Sequence, residues 1–168
     1  MRYIDLNNVR EAGYRALPPG GYICKITKVE DKPEKEYLEI CYDIAEGEFR
    51  DYYQTLRDKV NPNYWGGKDL RLYKEKALPY FKAFVTAVER SNPGYVFDCN
   101  EHSLAGKYVG IVLGEEEYIN TNGEIKTNLR VDCFRSVDEI RNGNFKVPAP
   151  KRLTQPMTTV TNNNIPML

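Results

Sequence analysis

Apolar and polar positions alternate with a period of two in the first half of the chain. Residues 22–27 and 37–44 both follow this period, so each is predicted to form a strand with one face in the core. In residues 37–44 the even-numbered positions should face the core and the odd-numbered positions should face outward. Residues 49–56 are aromatic and rich in strand-forming types, and we predict a third strand there. Tyr52 and Tyr53 would then point to opposite faces, one buried and one displayed.

The pattern changes in the middle of the chain. Asn61-Pro62-Asn63 and Gly66-Gly67 interrupt residues 57–72, which predicts a long loop. From residue 74 onward, apolar side chains recur at spacings of three and four. This spacing predicts one amphipathic helix, which ends at the turn 91–94.

A hairpin is predicted after the helix. Residues 107–114 alternate again, and the Asn-Gly pair at 122–123 favours the positive φ angles of a hairpin turn. Leu129, Val131 and Cys133 continue as the returning strand. Three strands, one helix and a hairpin form the element order of the oligonucleotide-binding (OB) barrel. We therefore predict a mainly β fold, a five-stranded OB-like barrel with one α-helix between strands 3 and 4.

The predicted barrel has an extension at each end. The Pro-Pro-Gly-Gly sequence at 18–21 blocks regular structure, so residues 1–16 are predicted to be an N-terminal extension and residues 17–150 the barrel domain. Beyond residue 150 the composition shifts to Thr, Asn, Gln and Pro, which cannot build a core. Residues 151–168 are therefore predicted to be a flexible C-terminal tail.

Charge and cysteine content narrow the class of protein. The 24 basic and 24 acidic side chains balance, so any attraction for a polyanion must come from a local patch. The four cysteines show no CxxC pair and no zinc-site spacing, and we expect free thiols. Residues 1–14 contain no apolar run typical of a signal peptide or a membrane span. A cytoplasmic protein without membrane association is expected.

Aromatic and basic residues lie side by side in the predicted loop and on the predicted hairpin. A base can stack on an aromatic ring, at about 1–3 kcal/mol per base, while Lys or Arg neutralises the neighbouring phosphate. This combination predicts a groove for single-stranded nucleic acid between loop and hairpin. The candidates are Lys25 on the first strand, Tyr52 on the third, Tyr64, Trp65, Lys68, Arg71 and Tyr73 in the loop, and Tyr118, Lys126, Arg130 and Phe134 on the hairpin.

Packing and catalysis are the competing roles for these residue types. Most of the 13 tyrosines and 6 phenylalanines must fill the core, so packing is the alternative role of each named ring. Trp65 differs, because a tryptophan beside two glycines in a loop should have few neighbours to pack against. Glu115-Glu116-Glu117 is expected at a solvated hairpin tip, and His102 has no recognisable partners for a catalytic triad. We predict no enzyme, no metal site and no cofactor.

Three motifs resemble a family of phage and prophage proteins from Gram-positive bacteria. They are LPPGGY at 17–22, LAGKYVGIVL at 104–113 and SVDEIRNGNFKVP at 136–148, and the similarity covers most of residues 15–152. The resemblance implies an OB-fold single-stranded-DNA-binding protein of a replication or recombination module, in the cytoplasm of a bacterial host cell. It concerns fold and general role rather than particular contacts.

The end of the chain resembles a second feature of single-stranded-DNA-binding proteins. Many of them finish with an acidic run and Ile-Pro-Phe or Leu-Pro-Phe, which hooks replication and repair enzymes. This chain has asparagines in place of the acids, followed by Ile165, Pro166, Met167 and Leu168. The resemblance implies that these four residues bind replication or recombination proteins. A polar tail that ends in apolar residues by chance is the alternative.

The sequence as a whole predicts sequence-nonspecific binding of single-stranded DNA in phage or prophage replication or recombination. In this hypothesis, loop 57–73 and hairpin 118–134 close on the strand, and both a monomer and an oligomer are compatible with it. The alternative is a protein-interaction adaptor of a phage recombination module that does not bind DNA. The balanced charge favours this alternative.

Overall fold

The computed structural model describes residues 1–6 and 16–153 of the chain. Its strands are β1 (Gly20–Lys32), β2 (Tyr37–Ile44), β3 (Lys68–Leu72), β4 (Tyr108–Ile119) and β5 (Ile125–Arg135). Its α-helices are α1 (Tyr52–Lys59), α2 (Leu78–Ser91) and α3 (Val137–Arg141). Short 3-10 turns at Glu75–Ala77 and Glu101–Leu104 precede α2 and β4.

The five strands form one antiparallel sheet in the order β3-β2-β1-β4-β5. The central strand β1 pairs with β4 through its first half and with β2 through its second half, with a bulge between Ile26 and Lys28. Within the described residues the edge strands β3 and β5 share no backbone ladder. The sheet is therefore open, and the prediction of a closed barrel is wrong. The predicted helix between strands 3 and 4 is confirmed as α2.

Side chains, rather than backbone hydrogen bonds, lie between the two edge strands. The guanidinium of Arg71 on β3 lies 4.9 Å from the ring centre of Phe134 on β5. The Nε of Arg71 also contacts Oδ2 of Asp69 at 2.6 Å, and both atoms are buried. An ion pair and an aromatic ring thus fill the space in which a closed barrel would carry its last ladder.

The core lies between one face of the sheet and α2. The even-numbered positions of β2 are buried as predicted, and so are the alternating apolar residues of β4 and the inner face of α2. These residues are Leu38, Ile40, Tyr42 and Ile44 on β2, Val109, Ile111 and Leu113 on β4, and Phe84 and Val88 on α2. The periodicity in the sequence therefore identified the buried faces of these three elements.

A second layer covers the outer face of β1 and β4. It consists of α3, whose capping box joins Ser136 and Glu139, and of the residues that follow it. This layer packs directly on glycines, because a Cβ at Gly21 would lie 2.5 Å from the Phe145 ring and one at Gly110 would lie 2.4 Å from Ile140. Side chains at these two positions would push the layer off the sheet.

Residues 49–56 do not form the predicted third strand, because α1 begins at Tyr52. The carboxylate of Asp43, near the end of β2, accepts hydrogen bonds from the backbone N–H groups of Tyr53 at 2.9 Å and Gln54 at 3.0 Å. An acceptor for these unpaired N–H groups stabilises the start of a helix, and here a neighbouring strand supplies it. Tyr52, Tyr53 and Asp43 are all buried. The prediction of a displayed tyrosine is therefore wrong. Asp43 lies on the predicted outward face with its ladder partner Lys25, but the start of α1 covers it.

The strand β3 lies inside the segment that was predicted to be a loop. Asp69 and Arg71 of β3 point inward, whereas Leu70 and Leu72 are each 41% exposed. Polar residues thus face the inside and apolar residues face the solvent, which is the inverse of an ordinary half-buried strand. This inversion explains why the segment gave no strand signal.

The hairpin is confirmed and is longer than predicted. β4 continues to Ile119, the turn follows at 120–124, and β5 contains the predicted returning residues. Glu116 and Glu117 consequently lie on β4 and pair with Arg130 and Arg152. The expectation that they form a solvated hairpin tip is wrong.

Candidate nucleic-acid interface

A cleft of about 440 Å³ opens between α1, the segment 64–66 and β5. We call it the tyrosine cleft, because the rings of Tyr52, Tyr53 and Tyr64 line it opposite Asn128 and Leu129. It lies between the segments that the sequence predicted to close on a nucleic acid. Tyr64 is 61% exposed and can meet a ligand, whereas Tyr52 is 7% exposed and belongs to the cleft floor. The role predicted for Tyr52 as a displayed ring on a strand is therefore wrong.

A second cleft, of about 250 Å³, lies on the other side of α1. We call it the tryptophan cleft, and its walls include Lys25, Arg50, Gln54, Trp65 and Tyr108. It brings together Lys25 and Trp65, two of the predicted residues that lie on separate elements. Tyr108 is 43% exposed, and the Lys25 ammonium lies 6.0 Å from the centre of its ring. Aromatic surface and positive charge therefore coincide here.

Trp65 is anchored more firmly than the sequence predicted. Its indole N–H donates to the backbone carbonyls of Tyr42 and Gly67, both at 3.1 Å. The Tyr53 ring packs 6.5 Å away, and the guanidinium of Arg57 lies 5.5 Å from the indole centre. The expectation of few packing neighbours is wrong. A base can stack on Trp65 only where Arg57 moves aside.

The predicted cations differ in how closely a carboxylate neutralises them. Lys68 lies 3.2 Å from Glu39, Lys126 lies 3.4 Å from Glu124, and Arg130 lies 3.2 Å from Glu116. By contrast, Lys25 makes no ion pair with any residue that the structure describes. Lys25 is thus the least compensated of the predicted cations, and it lines the tryptophan cleft.

Arg50 and Arg57 are cations of this region that sequence reasoning missed. Their nearest carboxylates are those of Asp51 and Asp58, at the long distances of 3.9 and 4.0 Å. Because residues 52–59 form a helix rather than a strand, Arg57 lies over Trp65, and Arg50, just before the helix, lines the same cleft as Trp65. No signal in the sequence could place them there while that segment was interpreted as a strand. Tyr108, which begins β4, was missed for a related reason, since only the sheet brings it beside Lys25.

Phe134, Arg71 and Tyr73 line neither cleft and are held by contacts elsewhere in the fold. Phe134 is 7% exposed and packs on Phe84 with 4.7 Å between ring centres. Arg71 lies over this same ring, inside the molecule. The hydroxyl of Tyr73 donates to the Asp31 carboxylate at 2.7 Å. A structural role explains the positions of Phe134 and Arg71, and the prediction that they line a binding groove is wrong for this structure.

The hairpin residues form a patch of their own. Tyr118 and Lys126 are directly paired across the β4–β5 ladder, and Arg130, four residues after Lys126 on the same strand, shares their face. Tyr118 is 43% exposed. The hairpin therefore displays these three of its four predicted residues together, although none of them lines either cleft. Both of its cations are held in ion pairs.

Burial shapes the electrostatics of the tryptophan cleft through Asp43. Burial raises the pKa of this carboxyl above its ordinary value, and the hydrogen bonds from the Tyr53, Gln54 and Ile44 N–H groups oppose that rise. The carboxylate oxygens point to the helix start, because they accept these backbone hydrogen bonds. Asp43 is thus occupied in capping α1.

Metal sites, membrane spans and the C-terminal tail can be examined only within the described residues. Among residues 1–6 and 16–153, no group of three His, Cys, Asp or Glu side chains is placed to hold a metal ion. No helix within these residues is long and apolar enough to cross a membrane. The tail residues Ile165, Pro166, Met167 and Leu168 lie outside the described residues.

Comparison with known proteins does not identify a family for this chain. No protein-family model matches it, and no curated protein matches it. The function proposed below therefore rests on the residues of the two clefts.

Proposed function

We propose that this protein binds single-stranded DNA with little sequence preference, in the replication or recombination of phage or prophage DNA. The observation that carries the proposal is the tryptophan cleft, where Trp65 and Tyr108 lie beside Lys25 and Arg50. Every base has a π face, so stacking on such rings tolerates any sequence. Nearby cations neutralise the phosphates that connect the stacked bases.

The fold supports this role. We propose that the open sheet is an OB barrel whose β3 and β5 edges are not laddered. The strand count and the position of α2 between β3 and β4 agree with this assignment. OB folds are partly open barrels that bind oligonucleotides and oligosaccharides through a strand face and adjoining loops.

Tyr64 supports a path for the strand between the two clefts. It lines the tyrosine cleft, and the next residue, Trp65, lines the tryptophan cleft. A strand that runs from one cleft to the other would pass the exposed Tyr64 ring. Arg57 can leave the indole face at little cost, since an exposed cation–π contact is worth about 0.5–1 kcal/mol. In the bound state its guanidinium would instead meet a phosphate.

The test is fluorescence anisotropy of a labelled oligo-dT at low and moderate salt, with a duplex of equal length as control. We expect salt-weakened binding of the single strand alone. Lys25→Ala and Arg57→Ala should each reduce the log-log salt slope by about 0.7, the value for one phosphate contact on single strands. Lys76→Ala, which removes an exposed cation outside both clefts, should leave the slope unchanged. Equal slopes for all these proteins would contradict the assignment of the cleft.

A protein-interaction adaptor is the second candidate function. It is favoured by the balanced net charge and by the ion pairs that hold Lys126 and Arg130 on the hairpin. Absence of oligo-dT binding at low salt would select it over the first proposal.

A further inference from the structure

A third cleft, which we call the helix cleft, opens at the opposite end of β1 from Gly20. It lies between α2, the ends of β1 and β2, and the segment 97–101, with a volume of about 620 Å³. Its walls are mainly apolar and include Leu38, Leu78, Phe81, Val85 and Phe97. It is larger than the tyrosine cleft, and the proposed DNA site does not use it. Tyr73 is the one residue among the predicted DNA-binding candidates that lines it.

The apolar surface of the helix cleft is held in place by aromatic packing. The Phe81 ring lies 6.1 Å from Tyr73, 6.2 Å from Phe84 and 6.2 Å from Phe97. Leu78, on the first turn of α2, is 47% exposed at the cleft wall. The cleft is therefore preformed, and a ligand that covers it would remove apolar surface from water without reordering the floor.

Acidic groups border the helix cleft. Asp31 and Glu101 lie in its wall, where Lys82 is the cation among its lining residues. Asp31 accepts a hydrogen bond from Tyr73, and this bond, with burial and the charges of Asp31, Glu36 and Glu34, raises the pKa of Tyr73 to about 12. The negative charge of these carboxylates disfavours the phenolate form of Tyr73. The same charge would repel a phosphate.

We propose that the helix cleft docks an apolar peptide segment of a partner protein that carries Lys or Arg beside its apolar residues. The apolar side chains would cover Phe81 and Val85, and the cations would meet Asp31 and Glu101. A nucleic acid would bring negative charge to these acids. The C-terminal end of this chain has apolar residues but no cation from residue 153 onward. Charge complementarity therefore selects a basic, apolar peptide.

The experiment uses the full-length chain and two labelled synthetic peptides. One carries Leu and Phe at positions i, i+4 and i+7 with flanking lysines, and the matched peptide has glutamates in place of the lysines. Anisotropy should detect binding of the lysine peptide, at least tenfold weaker binding of the glutamate peptide, and weakening of the former by salt. Leu78→Arg should reduce binding of the lysine peptide at least tenfold. Tyr80→Arg places the same charge on the same helix outside the cleft and should bind normally.

Glu101→Lys is a second variant, which reverses the charge at the cleft and leaves its apolar wall unchanged. It should weaken binding of the lysine peptide and strengthen binding of the glutamate peptide. Retained oligo-dT binding by Leu78→Arg and Glu101→Lys would show that both variants fold and that the two sites are separate. The docking proposal and the DNA proposal can therefore fail independently.

Several outcomes would overturn the docking proposal. Absence of binding, or equal binding of the two peptides, would remove its basis in charge. Displacement of the lysine peptide by oligo-dT would assign the cleft to nucleic acid. Tighter binding of a synthetic peptide of residues 154–168 would assign it to the chain's own end. Self-association that Leu78→Arg abolishes would assign it to a second copy.

Discussion

The tryptophan cleft and the helix cleft are both lined by residues of β1 and β2, but they lie at opposite ends of β1 and carry different side chains. Lys25, in the first half of β1, points to the outer face and lines the tryptophan cleft. Asp31, near the end of the same strand, pairs with Leu38 and lines the helix cleft. The tryptophan cleft carries Lys25 and Arg50 together with Asp51 and with Asp43, whose oxygens cap α1. The helix cleft carries Asp31 and Glu101, with Lys82, around apolar side chains. A net charge of zero therefore does not describe how charge is distributed over the two surfaces.

The two clefts also differ in what holds their aromatic rings. Trp65 depends on backbone carbonyls of Tyr42 and Gly67, whereas Phe81 depends on contacts with other rings. The first cleft should therefore respond to changes in backbone position, and the second to changes in side-chain volume. Variants can separate these dependencies.

The largest expected effect comes from a change that lies outside both clefts, between the edge strands of the sheet. Arg71→Ala leaves the Asp69 carboxylate buried without its cation and removes the contact with Phe134 between the edge strands. Breaking a buried ion pair in this way costs about 3–5 kcal/mol of unfolding free energy, measured by urea denaturation. Arg130→Ala, which breaks the exposed pair with Glu116, is the control and should cost about 0–1 kcal/mol. Similar losses for the two variants would refute a structural role for Arg71.

A backbone change should damage the tryptophan cleft selectively. A Cβ at Gly67 would lie 2.2 Å from the Tyr42 carbonyl oxygen and 2.7 Å from the Tyr53 ring. Gly67→Ala should therefore cost about 3 kcal/mol of unfolding free energy, by overpacking, and should weaken oligo-dT binding.

Gly66→Ala provides the matched control for Gly67→Ala. A Cβ there would approach only side-chain atoms, with Tyr53 closest at 3.2 Å, so a small ring movement can accommodate it. We expect a loss below about 1 kcal/mol in urea denaturation. A larger loss at Gly66 than at Gly67 would show that the carbonyl of Tyr42 does not limit this position.

Loss of the exposed Tyr64 ring should affect DNA binding without affecting stability. Tyr64→Ala removes a side chain that is 61% exposed, so the unfolding free energy should change by no more than about 0.5 kcal/mol. Its oligo-dT affinity should fall by about 1–2 kcal/mol, the value of one base stack, in an anisotropy titration. Tyr80→Ala removes an exposed ring outside the tyrosine and tryptophan clefts and should bind oligo-dT normally. Equal affinity of the two variants would place the strand elsewhere.

The smallest expected effect is a pH dependence at Asp43. Burial raises the pKa of Asp43 in the folded protein. Its unfolded value is about 3.9, so the proton is held more tightly when folded, and this contribution is complete below about pH 3.9. It is lost as the pH rises through the folded pKa. The urea midpoint of the wild type should therefore exceed that of Asp43→Asn by less at neutral pH than at acid pH. A difference that grows with pH would mean that the hydrogen bonds to the carboxylate outweigh its burial.

The sequence predicted β2, α2 and the β4–β5 hairpin because each depends on local pattern. Ile40 and Ile44 alternate with half-buried residues, and Phe84 and Val88 repeat at helical spacing, since one face of each element is buried. The candidate site was predicted less completely. Tyr64, Trp65 and Lys25 do line clefts, but Phe134 and Arg71 are internal.

Local sequence pattern was enough to predict the alternating strands, the amphipathic helix and the hairpin turn, because these arise from neighbours in the chain. Tertiary packing makes residues 52–59 helical, since Asp43, which accepts hydrogen bonds from the start of this helix, comes from β2. It also places Arg71 of β3 inside, where it pairs with Asp69 and lies over the Phe134 ring, and it leaves the sheet open. The helix, the inward arginine and the open sheet all depend on contacts between segments that are distant in the chain. Local pattern cannot predict such contacts.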